Sequence, residues 1–301
     1  MSIQMRNFQW DRDFDRARRF LGEIFPIRRA YTNWVPSRLE NVKYGPGGTE
    51  YLDEEDAYLK IWEVEHQIVA LSYTKPSGEC WLLIHPNQTA HSKEIIVWMQ
   101  GRVKELSKSD EVKMTLVADD ADDELISTLS SLGFAKDESD GDNQVRPLDA
   151  PIPDYSLPEG YVIRHATADD CEKYRDVQGA VFKHMQNMTR SLYDNYRSAS
   201  FYHEELDVLA VVPSGEFAAF CTGRIDPVSR IAELEPVGTH PEHRKLGLGK
   251  AVILECLKRL EKHKPTAVVI LGAAPWEAAR RLYESVGFVN EGERHYWAKI
   301  V

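Results

Sequence analysis

The sequence predicts a chain of α/β (α+β) class built as two tandem units, and three observations carry that prediction. The same order of strands and helices can be read twice along the 301 residues. His85-Pro86 and His240-Pro241 stand 155 residues apart, while Gly133-Phe134 and Gly287-Phe288 stand 154 apart, so the interval between the two anchors is kept within one residue. Between the copies the composition shifts from Asn143 to Gly160, where Pro147, Pro151, Pro153 and Pro158 interrupt any regular pattern. The expected division is residues 1–146, a proline-rich linker over 147–159, and residues 160–301.

Hydrophobic periodicity and turn chemistry place the elements. In the first unit they predict a strand over Ser2–Phe8, a helix over Asp13–Phe25, a hairpin over Ala57–Tyr73 and a strand over Glu79–His85. A helix over Lys93–Leu106, a strand over Val112–Val117 and a helix over Asp123–Leu132 follow. The acidic run from Asp119 to Glu124 reads as a helix start, since carboxylates favour the positive end of the helix dipole. In the second unit Tyr161–Ala166 is a strand and Asp169–Phe182 a helix. Leu206–Val212 and Phe217–Arg224 form a hairpin around Pro213-Ser214-Gly215, and Ile231–Thr239 is a further strand. Gly247–His263 is an amphipathic helix with Ile253, Leu257 and Leu260 on one face. Ala267–Leu271 is short and fully apolar, as a strand in a sheet centre is. Trp276–Val286 is the last helix, ended by Gly287, and Phe288–Ile300 closes the sheet.

Composition bounds the function. Hydrophobic residues make up 43% and charged residues 28%, the balance of a globular protein. The first ten residues hold no apolar core of signal-peptide length, and no later run approaches the roughly 18 apolar residues of a membrane span. A cytoplasmic protein is expected. Cys80, Cys171, Cys221 and Cys256 lie far apart and form no CxxC pair, so buried free thiols are expected rather than a zinc site or a disulfide framework. The formal charge of −11 disfavours nucleic acid or an anionic membrane as partner. Most of it lies in residues 1–150, with 18 Lys and Arg against 27 Asp and Glu. Oligomeric state is not legible.

The chemistry-bearing stretch runs from Glu233 to Ala251. Pro236 cannot donate to a ladder, so the strand Ile231–Thr239 is expected to bulge or splay there. A splayed strand leaves Val237 and Thr239 able to pair with an extended, amide-bearing ligand arm. Directly downstream, Gly247 and Gly249 open a helix whose first N–H groups lie at the positive end of its dipole, with Arg244, Lys245 and Lys250 alongside. An amide arm joined to a pyrophosphate points to coenzyme A. A nucleotide P-loop is disfavoured because Ala251 follows Gly249-Lys250, and a dinucleotide fold because Val252 stands at the third glycine position.

Arg244-Lys-Leu-Gly-Leu-Gly249 resembles the R/Q-x-x-G-x-G/A signature of the GNAT superfamily of N-acetyltransferases. Val237-x-Thr239-x-Pro241 before it, and the segment from Ala278 through Leu282-Tyr283 to Gly287-Phe288 after it, are similar to the family's flanking motifs. The resemblance covers residues 160 to 301. It implies a mixed, mostly antiparallel sheet with flanking helices and two splayed parallel strands. Acetyl-CoA would lie between those strands against Val237, Gly238 and Thr239, its pyrophosphate on Arg244, Lys245, Leu246, Gly247, Leu248, Gly249 and Lys250. It also implies direct acetyl transfer to a primary amine of a small molecule or peptide, with Glu233 or Glu235 as base and Tyr283 as acid toward the leaving thiolate; His240 is a further candidate base. No metal is implied. An asparagine often found before the last helix would fall near Ala274 or Trp276 and is absent; Trp276 is expected either to cover the pantetheine arm or to pack.

The first unit resembles a degenerate copy. Residues Asn87 to Lys93 hold no glycine, and Leu129 stands where the second copy has Tyr283. One active site is therefore expected in the whole chain, in a tandem arrangement similar to that of mycothiol synthase-like transferases. The alternative reading is a CoA-binding sensor or interaction module without turnover.

Overall fold

The computed structural model describes residues 2–28, 34–45, 58–182, 188–273 and 276–301. In the first half these form β1 (Gln4–Asn7), α1 (Trp10–Arg28), α2 (Pro36–Tyr44), β2 (Leu59–Val64), β3 (Gln67–Thr74), β4 (Glu79–Ile84), α3 (Ser92–Ser107), β5 (Lys113–Asp119), α4 (Asp123–Ser131) and β6 (Ala135–Arg146). The second half repeats the strands as β7 (Val162–His165), β8 (Tyr202–Val211), β9 (Phe217–Ile225), β10 (Ile231–Thr239), β11 (Ala267–Ala273) and β12 (Val289–Ile300). Its helices are α5 (Cys171–Val181), α6 (Arg190–Arg197), α7 (Leu248–Leu260) and α8 (Glu277–Glu284). The expected hairpin start, Ala57, lies outside the described residues.

The duplication extends to individual atoms. His85 and His240 each accept a hydrogen bond at Nδ1 from the residue two further on, at 3.1 and 3.3 Å, and so open equivalent 3-10 turns. At the other anchor, Phe134 N–H donates to Leu129 O and Phe288 N–H to Tyr283 O, both at 3.0 Å. Gly133 and Gly287 sit beside them at φ +84° and +88°, left-handed values that an L side chain resists.

All strands join one twelve-stranded sheet in the order β1-β2-β3-β4-β5-β12-β6-β11-β10-β9-β8-β7. The order is symmetric about the β12/β6 seam. Each half lends its last strand to the other: β12 pairs along Arg294–Ile300 with β5, and β6 pairs with β11. Among the described residues, only β4 with β5 and β10 with β11 run parallel.

β6 was not expected. Its sequence, rich in Asp, Glu, Asn and Gln, lacks apolar alternation, and the composition shift placed Asn143–Arg146 in the linker region. Instead Asp142, Asn143, Gln144, Val145 and Arg146 are buried between β11 and β12. Pairing on both edges satisfies the backbone, and arginines neutralise the acids: Arg280 Nε donates to Asp142 at 3.0 Å, and Arg294 pairs with Asp140. Two short helices, α2 and α6, were also absent from the sequence reading. Asp122 caps α4 by accepting from Leu125 N–H at 3.2 Å, as the acidic run predicted. The four cysteines are buried free thiols.

The cores follow the same symmetry. One packs α7 and α8 on the second half's strands, with Val252, Ile253, Leu257 and Leu260 inward. Its counterpart packs α3 and α4 on the first half and takes in Trp297 and Val301 from the far end of the chain. Phe25 and Val35 of the first half close over Val145, Ile231, Val269 and Leu271, so the halves share apolar surface across the seam.

Asp119 ends β5 at this seam. It is 2% exposed, its Oδ2 has no hydrogen-bond partner, and burial pushes its carboxyl up to about 6. A carboxyl raised in the folded state contributes stability that is present below its ordinary pKa of 3.8 and is lost as pH rises through about 6. Asp119→Asn should therefore stabilise the protein by about 1–3 kcal/mol at pH 8 and by much less at pH 4. Urea titrations at the two pH values check this; an equal gain at both would refute it.

Candidate active site

The parallel pairing of β10 with β11 stops early. Ile231, Ala232 and Glu233 pair with Ala267, Val268 and Val269, and beyond Glu233 the strands part. At Pro236, β10 shifts register against β9 between Leu234 and Val237, while β11 stays paired to β6 on its other side. Val237, Gly238 and Thr239 keep their pairing to β9, so their other edge faces an open fork. The expected splay is present, and an extended amide chain fits beside it as a strand would.

The loop beyond the fork is shaped for an anion. After the turn Pro241–His243, Arg244 is extended with its Nε on Thr239 O at 3.4 Å, and Lys245 and Gly247 take left-handed φ values of +64° and +78°. Gly247 is the N-cap of α7, and no side chain caps the helix. Its first N–H groups are thus left for a ligand. A Cβ on Gly247 would meet nothing within 4 Å, whereas one on Gly249 would lie 2.9 Å from Thr239 Oγ1. Gly247 therefore faces open space, and Gly249 lets α7 press against β10. Arg244, Lys245 and Leu246 are exposed, Lys250 is half-buried and Leu248 is buried. Gly238 admits Phe220, whose ring would lie 2.4 Å from an added Cβ.

Tyr283 of α8 is 9% exposed and packs edge-on to Phe288. Burial, followed by the charges of Glu235 and Cys221, raises its hydroxyl pKa, so at neutral pH it is an O–H donor. Trp276, at the N-cap of α8, is 73% exposed. Ala274 lies outside the described residues. His240 caps its turn and lies tilted against His243, ring centroids 5.5 Å apart, which gives the ring a structural task.

The two carboxylates differ. Glu233 is fully buried at the vertex of the fork, where Arg38 Nε donates to Oε1 at 2.5 Å, Ser37 Oγ to Oε2 at 3.3 Å, and Arg224 stands at 3.8 Å. Glu235 is half-buried, and its charge acts on Arg38, Arg224 and Tyr283. Arg38 comes from α2 of the first half. Its Nη2 also donates to Leu271 O at 2.5 Å, so one guanidinium spans β10 and β11 where their pairing ends. Sequence reasoning missed Arg38, Ser37 and Arg224; Arg38 lies 195 residues from Glu233, and no motif links them.

The first half repeats the fork without the cradle. β4 and β5 pair only at Glu79↔Thr115 and Cys80↔Leu116. The turn Pro86–His91 then enters α3 directly with no glycine, and Leu129 is fully buried.

Arg38→Ala should cost about 3 kcal/mol, because it strips a buried carboxylate of its closest cation. In a Glu233→Gln background the same change should cost less, as a double-mutant cycle by urea unfolding will show. Additive costs would mean that the pair is not coupled.

Residues 171–288 match the Acetyltransferase (GNAT) family model. A mycothiol acetyltransferase of Paenarthrobacter aurescens is 32% identical over 147 residues, covering 46% of this chain and 46% of the relative. One from Arthrobacter sp. is 31% identical over 150 residues, covering 47% and 46%. The chain thus spans about half the length of the curated relatives it matches. In fold, a GCN5-related N-acetyltransferase from Sphaerobacter thermophilus aligns with TM-score 0.70 at 13% identity, covering 99% of this chain and 95% of that one. A tandem GNAT protein from the clavulanic acid biosynthesis pathway aligns with TM-score 0.65 at 14% identity, covering 99% and 98%. Residues 171–288 are therefore similar to the GNAT acetyltransferase family, and they sit in a two-unit fold that the chain shares with a tandem GNAT protein.

Proposed function

We propose that this protein is an acetyl-CoA-dependent N-acetyltransferase that acts on a primary amine of a small molecule or peptide, with its active site in the second half. One observation carries the reading: the β10/β11 fork opens onto the uncapped, glycine-led start of α7, with Tyr283 under the charge of Glu235. The pantetheine amides pair along Val237, Gly238 and Thr239, and Trp276 covers the arm from its exposed position. The pyrophosphate rests on the N–H groups from Arg244 to Lys250, where Arg244, Lys245 and Lys250 balance its charge.

In the reaction the amine nitrogen attacks the thioester carbonyl carbon, the carbon–sulfur bond breaks, and the acetyl group ends as an amide. The ammonium proton passes to the Glu233/Glu235 pair, of which Glu235 has solvent access, and Tyr283 donates its proton to the departing thiolate. We assign no turnover to the first half, whose backbone cannot approach a pyrophosphate without the glycines.

Acetyl-CoA with a panel of primary amines should release free thiol in proportion to acetylated product. Tyr283→Phe should lower kcat by about 100-fold with acetyl-CoA affinity retained, and Glu235→Gln should act similarly on kcat/KM for the amine. Gly247→Val should weaken acetyl-CoA binding without changing the fold, since a β-branched residue resists φ +78°. Acetyl-CoA binding without thiol release from any amine would instead favour a sensor.

A further inference from the structure

At the end of the second half opposite the fork, two elements bring three metal-binding side chains together. His203 and Glu205 belong to the first turns of β8, and His263 to the 3-10 turn Glu261–His263 that follows α7. One donor atom from each lies within 4.8 Å of the others. His263 Nε2 and Glu205 Oε1 are 2.9 Å apart, and the His203 and His263 rings stand 4.6 Å apart, centroid to centroid.

This part of β8 is irregular. Its register against β9 runs from Tyr202↔Arg224 straight to Asp207↔Thr222, so the four residues between them on β8 oppose one on β9, Gly223. The ladder is interrupted where His203 and Glu205 lie, and an interrupted strand re-aims its side chains. The backbone there is nevertheless fixed: Arg259 Nη1 donates to Glu205 O at 2.9 Å, and Arg259 Nε to Glu255 at 2.7 Å. Cys256 Sγ also meets Leu206 O at 3.5 Å. The donors thus sit on anchored elements rather than on a free loop.

The donor set suits a cation. A neutral imidazole and a carboxylate are the forms that bind metal. Three donor atoms within 4.8 Å of one another suffice for one ion, whose charge Glu205 balances.

We propose that His203, Glu205 and His263 form a binding site for a single divalent transition metal ion, Zn2+ by donor set, remote from the acetyl-CoA fork. Two imidazoles and a carboxylate are borderline ligands that favour Zn2+, Co2+ or Ni2+ over Mg2+ or Ca2+. Tetrahedral bonds of about 2.1 Å set donors about 3.4 Å apart, so small side-chain rotations close the site and leave the fourth position to water. The ion ties the irregular start of β8 to the end of α7. The cysteine arithmetic of the sequence gave no hint of it, because two of its ligands are histidines 60 residues apart on separate elements.

The test is a calorimetric titration of Zn2+ into full-length, chelator-treated protein, with Co2+ as a visible-absorption probe and Mg2+ as the hard-cation control. One equivalent of Zn2+ should bind, raise Tm through its preference for the folded state, and produce a Co2+ d–d band, while Mg2+ does neither. His203→Ala and His263→Asn should each weaken Zn2+ binding by at least about tenfold and abolish the Tm shift, with acetyl-CoA affinity unchanged. No saturable Zn2+ binding, or wild-type Zn2+ affinity in the histidine variants, would overturn the proposal.

Discussion

The exchange of last strands is the constraint on which the rest of this molecule depends. β6 leaves the first half to pair with β11, and β12 returns to pair with β5, so neither half completes its sheet alone. Backbone N–H and C=O groups at the centre of a sheet have no access to water, and each half supplies the other's missing partners. The exchange also fixes the outer edge of β11. With β6 holding that edge, β10 is free to part from β11 on the other, and the fork opens in a frame that does not move with it.

The same interlock carries the first half into the site. Phe25 and Val35 close over β10 and β11, and α2 then lays Arg38 across the vertex of the fork. A guanidinium that holds a carboxylate on one strand and a carbonyl on the other sets both their separation and the local field. Glu233 and Arg38 are a buried pair whose removal leaves an uncompensated charge, so the halves are tied by electrostatics as well as by apolar contact. A unit without the glycines and the tyrosine thereby contributes a side chain to its neighbour's fork.

Much of this was legible in the sequence, for physical reasons that differ by element. Pro236 announced the broken strand because a missing N–H is a local fact, and Gly247 announced the cradle because left-handed backbone favours glycine. The anchors at His85 and His240, and at Gly133 and Gly287, showed the duplication because each is a cap with fixed geometry. β6 was hidden because its stability comes from two neighbouring strands and from Arg280 and Arg294, none of them close in sequence. Arg38 and Arg224 were hidden for the same reason: an ion pair across 195 residues leaves no pattern. The burial of Glu233, beside a half-buried Glu235 only two residues away, depends on the bulge at Pro236, which the sequence located without giving its consequence for either side chain.

The central claim is that one of two similar forks holds acetyl-CoA. Hydrogen exchange on the full chain, with and without acetyl-CoA, tests it most directly, because the ligand would occupy specific backbone N–H groups. The account predicts slowed exchange at residues 237–239 and 246–250 and none at 85–93, the equivalent stretch of the first half. Protection at 85–93, or no protection at 246–250 under saturating acetyl-CoA, would contradict it.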